Sequence, residues 1–188
     1  MEATIVKPGL AAGLVALALA LTSMNARPAL AASAAEINRD ASAALAKLYE
    51  THPDTRQLAA RARAVLIFPR VYKAGFMLGA QYGEGVLRKG NKAVGYYNTV
   101  AASYGFQAGA QAFGYALFFM NDSALQYLDK SDGFEIGSGP SLVVLDEGMA
   151  KTMSSTTLTQ DVYAVIFNQK GLMGGLGLQG SKISKIAK

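Results

Sequence analysis

The sequence predicts an α+β fold: N-terminal helices packed on a strongly curved, mainly antiparallel β-sheet, barrel- or sandwich-like. Three observations predict it. Helical periodicity ends near residue 64, and strand-like runs joined by short turns follow. No helices alternate with those strands, which argues against a parallel sheet. Glycine is set densely among apolar residues in Val65–Leu87 (VLIFPRVYKAGFMLGAQYGEGVL) and Lys170–Ile183 (KGLMGGLGLQGSKI). Glycine weakens a strand unless a sharp bend or a close backbone approach requires it.

The chain opens on Lys7, then the 13-residue apolar run Gly9–Leu21, then Ala29-Leu30-Ala31 and Ala32-Ser33-Ala34. A positive start, a short apolar run and a small-residue cleavage pattern make residues 1–34 a secretory leader. The run falls short of the roughly 20 residues needed to span a bilayer. The site pattern favours cleavage after Ala34. Cleavage after Ala31 would instead keep Ser33, which forms a Ser-x-x-Glu capping box with Glu36. Removing 34 of 188 residues leaves 154, one domain at 35–188. The loss of Lys7, Arg27 and Glu2 lowers the net charge from +5 to +4. The expected location is periplasmic or secreted.

Ala35–Tyr49 reads as an amphipathic helix, with Ile37, Ala41, Ala44, Leu45 and Leu48 on one stripe. His52-Pro53 breaks it, and Asp54–Ala64 reads as a shorter, basic helix. Val65–Phe68 is a buried strand stopped by Pro69. Val86–Arg88 and Ala93–Val100 flank a charged hairpin turn, Lys89-Gly90-Asn91-Lys92. Residues 93–121 carry no charge, but their many Tyr and Phe favour two strands or one long bent one over a membrane helix. Asn121-Asp122-Ser123 caps a helix over Ala124–Lys130. Phe134–Ile136, Ser141–Asp146 and Asp161–Asn168 read as strands, Lys151–Gln160 as a loop, and Gly171–Gly180 as a last strand. The tail Ser181–Lys188 is expected to be a frayed, solvated end; if helical, it would set Lys182, Lys185 and Lys188 beside Ile183 and Ile186 as an interfacial anchor.

Catalytic chemistry has little to stand on. The chain has no cysteine and a single histidine, His52, in an interhelical turn. Thiolate metal sites and cysteine nucleophiles are therefore excluded. Gly175–Gly180 spells G-x-G-x-x-G, but only eight residues follow it, too few for a dinucleotide fold. Acidic residues at Asp129, Asp132, Glu135, Asp146 and Glu147 lack calcium-ligand spacing. No enzyme activity and no cofactor are expected.

Phe68-Pro69, Lys73-Ala74-Gly75-Phe76, Gly79, Gly83 and Gly85-Val86-Leu87 resemble the first signature of the SYLF domain. Ser103–Gly109 (SYGFQAG) resembles its middle signature, and Lys170-Gly171-Leu172 with Gly174, Gly177 and Gly180 its closing one. The three stand in the family's order across roughly Ala35–Ile183. The resemblance implies a lipid-binding module: eukaryotic members bind phosphoinositides and some bind actin, while bacterial members are exported. The expected function is therefore non-catalytic binding of an anionic phospholipid surface, with phosphoinositide-like or phosphatidic-acid-like headgroups. The candidate cations are Arg70, Lys73, Arg88, Lys89, Lys92, Lys170, Lys182 and Lys185. Met77, Leu172 and Met173 could insert into lipid if exposed, but core packing is the expected role of each. A protein partner in the cell envelope is possible and no nucleic acid is expected. Two alternatives are an envelope scaffold and a small outer-membrane β-barrel.

Overall fold

The structure is a computed structural model that describes residues 32–130, 134–136, 139–145, 159–171, 178 and 180–188, with backbone alone over 104–108. Residues 1–31 of the expected leader, most of the 151–160 loop and residues 172–177 lie outside the described residues. Ala32–Lys188 forms one compact unit.

Helix α1, Ala34–Thr51, starts where the capping box demands. Ser33 Oγ accepts from Glu36 N–H at 3.2 Å, and Ser33 N–H donates to Glu36 Oε2 at 2.8 Å. Its buried stripe is Ile37, Ala41, Ala44 and Leu48. Helix α2, Thr55–Arg61, is shorter than expected because Ala62 turns extended and Ala64 already belongs to the sheet.

Two long strands dominate: β1, Ala64–Lys89, and β2, Lys92–Phe119. They pair antiparallel from Ala64↔Phe119 to Lys89↔Lys92, so the charged hairpin forms as expected. Pro69 does not end the strand. It falls at a register shift between Phe68 and Val71, where its missing N–H costs no ladder bond. Residues 93–119 are one strand with an irregularity: Phe76 pairs with Ala108 but Leu78 pairs with Tyr104.

At that irregularity the hairpin bends back on itself. A Cβ on Gly75 would overlap Gly79 Cα and the Leu78 carbonyl. A Cβ on Gly85 would overlap the Ile67 carbonyl oxygen and lie 2.7 Å from Phe68 Cδ1. The two arms of β1 therefore meet at backbone contact. The inner face of the bend holds one core, built on Phe68, Tyr97, Tyr115, Phe119 and Ile183.

Helix α3, Asp122–Lys130, closes that inner core with Ala124, Leu125 and Leu128. Asn121 Oδ1 caps it by accepting from Ala124 N–H at 2.9 Å. The sheet continues with β3, Phe134–Glu135; β4, Leu142–Leu145; β5, Val162–Gly171; and β6, Lys182–Ile186. The order is β3-β6-β2-β5-β4, with β1 on β2. All pairs are antiparallel except β4–β5. Helices α1 and α2 cover the outer face over Ile67, Val86, Ala116 and Phe118. Helices thus lie on both faces of the sheet, α1 and α2 on the outer one and α3 on the inner one.

The tail departs most from expectation. It is neither frayed nor helical: β6 pairs with β2 from Tyr96↔Ile186 to Val100↔Lys182 and carries Ile183 into the core. Tertiary pairing overrides the three-residue lysine repeat. Lys188 Nζ donates to the Ala32 carbonyl at 2.8 Å and pairs with Glu84 at 3.0 Å, with both side chains about nine-tenths covered. Tyr82 Oη donates to the same carboxylate at 2.8 Å. Partial burial first, then the hydrogen bond to Glu84 and last its charge push this phenol up to about 12.

Asp161 ties the start of β5 to its neighbours. Its carboxylate accepts from Asn121 Nδ2 (2.6 Å), Ser141 Oγ (2.8 Å) and Ser141 N–H (2.9 Å). The Ser141 and Asn121 bonds hold its pKa below the ordinary 3.8. A depressed folded pKa contributes stability above the unfolded value and loses it as pH falls through the folded one. Urea midpoints should therefore decline from about pH 5 to pH 3. In Asp161→Asn this part of the decline should be absent; an unchanged acid limb would contradict the assignment.

Candidate functional site

The three sequence blocks meet at the bend. Gly75↔Gly109, Phe76↔Ala108 and Leu78↔Tyr104 join the first block to the second. Gln111↔Gly171 and Ala112↔Lys170 bring the start of the third beside them.

Helices α1 and α2 leave the outer face bare at the bend. Along β1 the exposed positions are Tyr72, Ala74, Phe76, Leu78, Ala80 and Tyr82, while Val71, Gly79 and Gln81 are buried. That alternation is the period of a strand with one face in solvent. Phe76 is 77% exposed, Leu78 68% and Met77 52%. Met77, expected in the core, instead projects from the bend, with a φ of 59° that a side-chain-bearing residue adopts at a cost.

Register places the cations. Tyr72, Ala112 and Lys170 form one cross-strand row, and Tyr82, Val100 and Lys182 another. Directly opposed residues share a face, so Lys170 and Lys182 stand on the bare outer face at the two sides of the bend. Arg70 joins them, its Nη1 3.4 Å from Tyr72 Oη. Lys73 lies in the next row, with Gln111 and Gly171, and points to the inner face. Three carboxylates stand nearby: Asp40 shares a shallow cleft with Arg70, Glu135 is the cross-strand neighbour of Lys182, and Glu84, bonded to Tyr82, is paired with Lys188. Among the described residues none comes within ion-pair distance of these four cations.

The other four candidates lie elsewhere. The turn bearing Lys89 and Lys92 sits beside the start of β1, where Ala64, Val65, Gly90 and Asn91 line one cleft. From Met77 to Lys89 the strand runs roughly 40 Å at about 3.3 Å per residue. Arg88 is half-buried and committed to α1, donating through Nη2 to the Asn38 carbonyl and Ser42 Oγ at 2.8 and 2.9 Å. Lys185 shares the inner-face row of Tyr97. Sequence reasoning missed Tyr72, Phe76, Leu78 and Tyr82; the signal available was their even spacing around a glycine-marked bend.

His52 is buried at the C-cap of α1. Its ring Nδ1 is 2.8 Å from Thr51 Oγ1, and its carbonyl accepts from Thr55 Oγ1 at 2.6 Å. These contacts hold the α1–α2 turn.

Comparison with known families brings in residues 100–187. They match the family model Ysc84, described as "Las17-binding protein actin regulator". Residues 100–187 carry the match to the SYLF-domain family. The match begins within β2, before the bend, and runs to Ala187. The first sequence block lies before the matched span, and its Phe68–Tyr82 part pairs with it. No curated protein matches the chain.

Proposed function

We propose that this SYLF domain binds anionic phospholipid surfaces, with phosphoinositide-like or phosphatidic-acid-like headgroups, and performs no catalysis. The observation that carries the reading is the gathering of Arg70, Lys170 and Lys182 on one exposed outer face at the bend, with Lys73 close by in the adjoining row on the inner face. Each cation near a negative membrane contributes about 1 kcal/mol, and the field fades within a Debye length. The family supports a lipid- or actin-related binding role at the coarser level. We place the protein outside the cytoplasm, delivered by the leader at residues 1–34. The Ser33 cap and the Ala32–Lys188 contact favour cleavage after Ala31, which keeps both, over the Ala34 site that the residue pattern favours.

Co-sedimentation with phosphatidylcholine vesicles tests this. Binding should rise as phosphatidylserine or phosphatidic acid is added and fall as salt is raised. Equal binding to neutral vesicles, or no binding to anionic ones in dilute buffer, overturns the reading. Indifference to lipid would favour a protein-binding scaffold.

A further inference from the structure

We infer that the bend enters the bilayer, with Phe76, Met77 and Leu78 as its inserted apex. This rests on the anionic-lipid reading and deepens it: it names hydrocarbon, besides headgroup charge, as what the site recognises.

The side chains are graded by distance from the bend. At the apex stand Phe76, Met77 and Leu78, the first and last among the most exposed apolar residues described. Ala74 and Ala80 follow on the two arms, exposed and small. Next come Tyr72 and Tyr82, 56% and 49% exposed. In the same rows as those tyrosines stand Lys170 and Lys182, and Arg70 lies two residues beyond Tyr72. Apolar residues first, amphipathic aromatics next and cations last is the order of a bilayer interface read outward from its interior. Phe76 stands four positions beyond Tyr72, about 13 Å of strand, enough for the roughly 5–10 Å that interfacial elements typically penetrate.

The backbone at the apex is suited to the task. An inserted strand edge must not leave many polar groups unpaired. Here the ladder pairs on both sides of the irregularity, at Phe76↔Ala108 and Leu78↔Tyr104, and the unpaired positions are confined to Met77 and the three facing residues 105–107. Met77 is held at a φ of 59°, which projects an apolar side chain where an extended residue would turn it inward. A second copy of the chain would also cover an apolar face. The flanking cations argue against it, because self-association would bring Arg70, Lys170 and Lys182 against their own kind.

The chain contains no tryptophan, so Phe76→Trp introduces a single reporter at a position that does not hold the core together. Val94→Trp, 41% exposed and next to the hairpin turn, is the control. With vesicles rich in phosphatidylserine, Phe76→Trp emission should shift to the blue and be quenched by acyl-chain-brominated lipid, while Val94→Trp stays unchanged. Phe76→Ser with Leu78→Ser should weaken vesicle binding at least tenfold with an unaltered salt dependence. Bound protein whose Phe76→Trp emission does not move overturns insertion and leaves headgroup binding standing. A wild-type chain that ignores anionic vesicles overturns both. A concentration-dependent blue shift without lipid assigns the face to self-association and overturns insertion.

Discussion

Replacing Gly85 by alanine lowers the stability of the domain by about 2–3 kcal/mol, read as a fall in the urea midpoint at an unchanged slope. The new methyl overlaps the Ile67 carbonyl oxygen and presses on the Phe68 ring. Neither neighbour can yield: Ile67 is locked in the ladder with Ala116, and Phe68 stacks on Tyr115 at 4.7 Å between centroids. The two arms of β1 must part, and the inner core opens with them. Gly90→Ala is the comparison. Nothing lies within reach of a Cβ there, and the cost is only that of a φ of 57°, about 1 kcal/mol. Equal losses at the two positions would show that the arms do not depend on backbone contact.

Changing Arg70, Lys73, Lys170 and Lys182 together to glutamine weakens binding to anionic vesicles by roughly 30- to 150-fold in dilute buffer. Four cations at about 1 kcal/mol each set the ceiling. Asp40 beside Arg70 and Glu135 beside Lys182 already offset part of it, which leaves about 2–3 kcal/mol. Changing Lys89 and Lys92 should have little effect, because the hairpin turn is at the other end of the strand. Arg88→Ala should act on stability, by about 1–2 kcal/mol, through the lost bonds to Asn38 and Ser42. An affinity loss spread evenly over both sets would mean that no single end faces the membrane.

How far the site could be read in advance depended on the kind of information each residue carries. Lys170 could be nominated from its place before a glycine-rich run, and Arg70 and Lys73 from theirs within one. What no local pattern holds is which cations come together. That is decided by register: Lys182, 82 positions after Val100, shares its face only because β6 pairs with that part of β2. The tail was misread for the same reason. Lysines at every third position look like a helix edge in isolation, yet Ile183 gains more from the inner core, and Lys188 from Glu84, than eight residues gain from forming a helix alone. Met77 could be named as a residue able to enter lipid, but it was assigned to the core because it is apolar and set between glycines, which describes a core position equally well.

The sequence by itself determined the α+β class, the capped first helix, the charged hairpin turn and the three glycine-marked blocks, because caps, turns and close approaches demand particular residues at the point where they occur. Only the tertiary structure decided that Pro69 is a bulge and not a terminus, that the tail is a central strand, and that cations distant in sequence border one bare apolar face. Those outcomes depend on which strand edges meet, and the energy that selects them belongs to long-range pairing and burial shared among segments far apart in the chain.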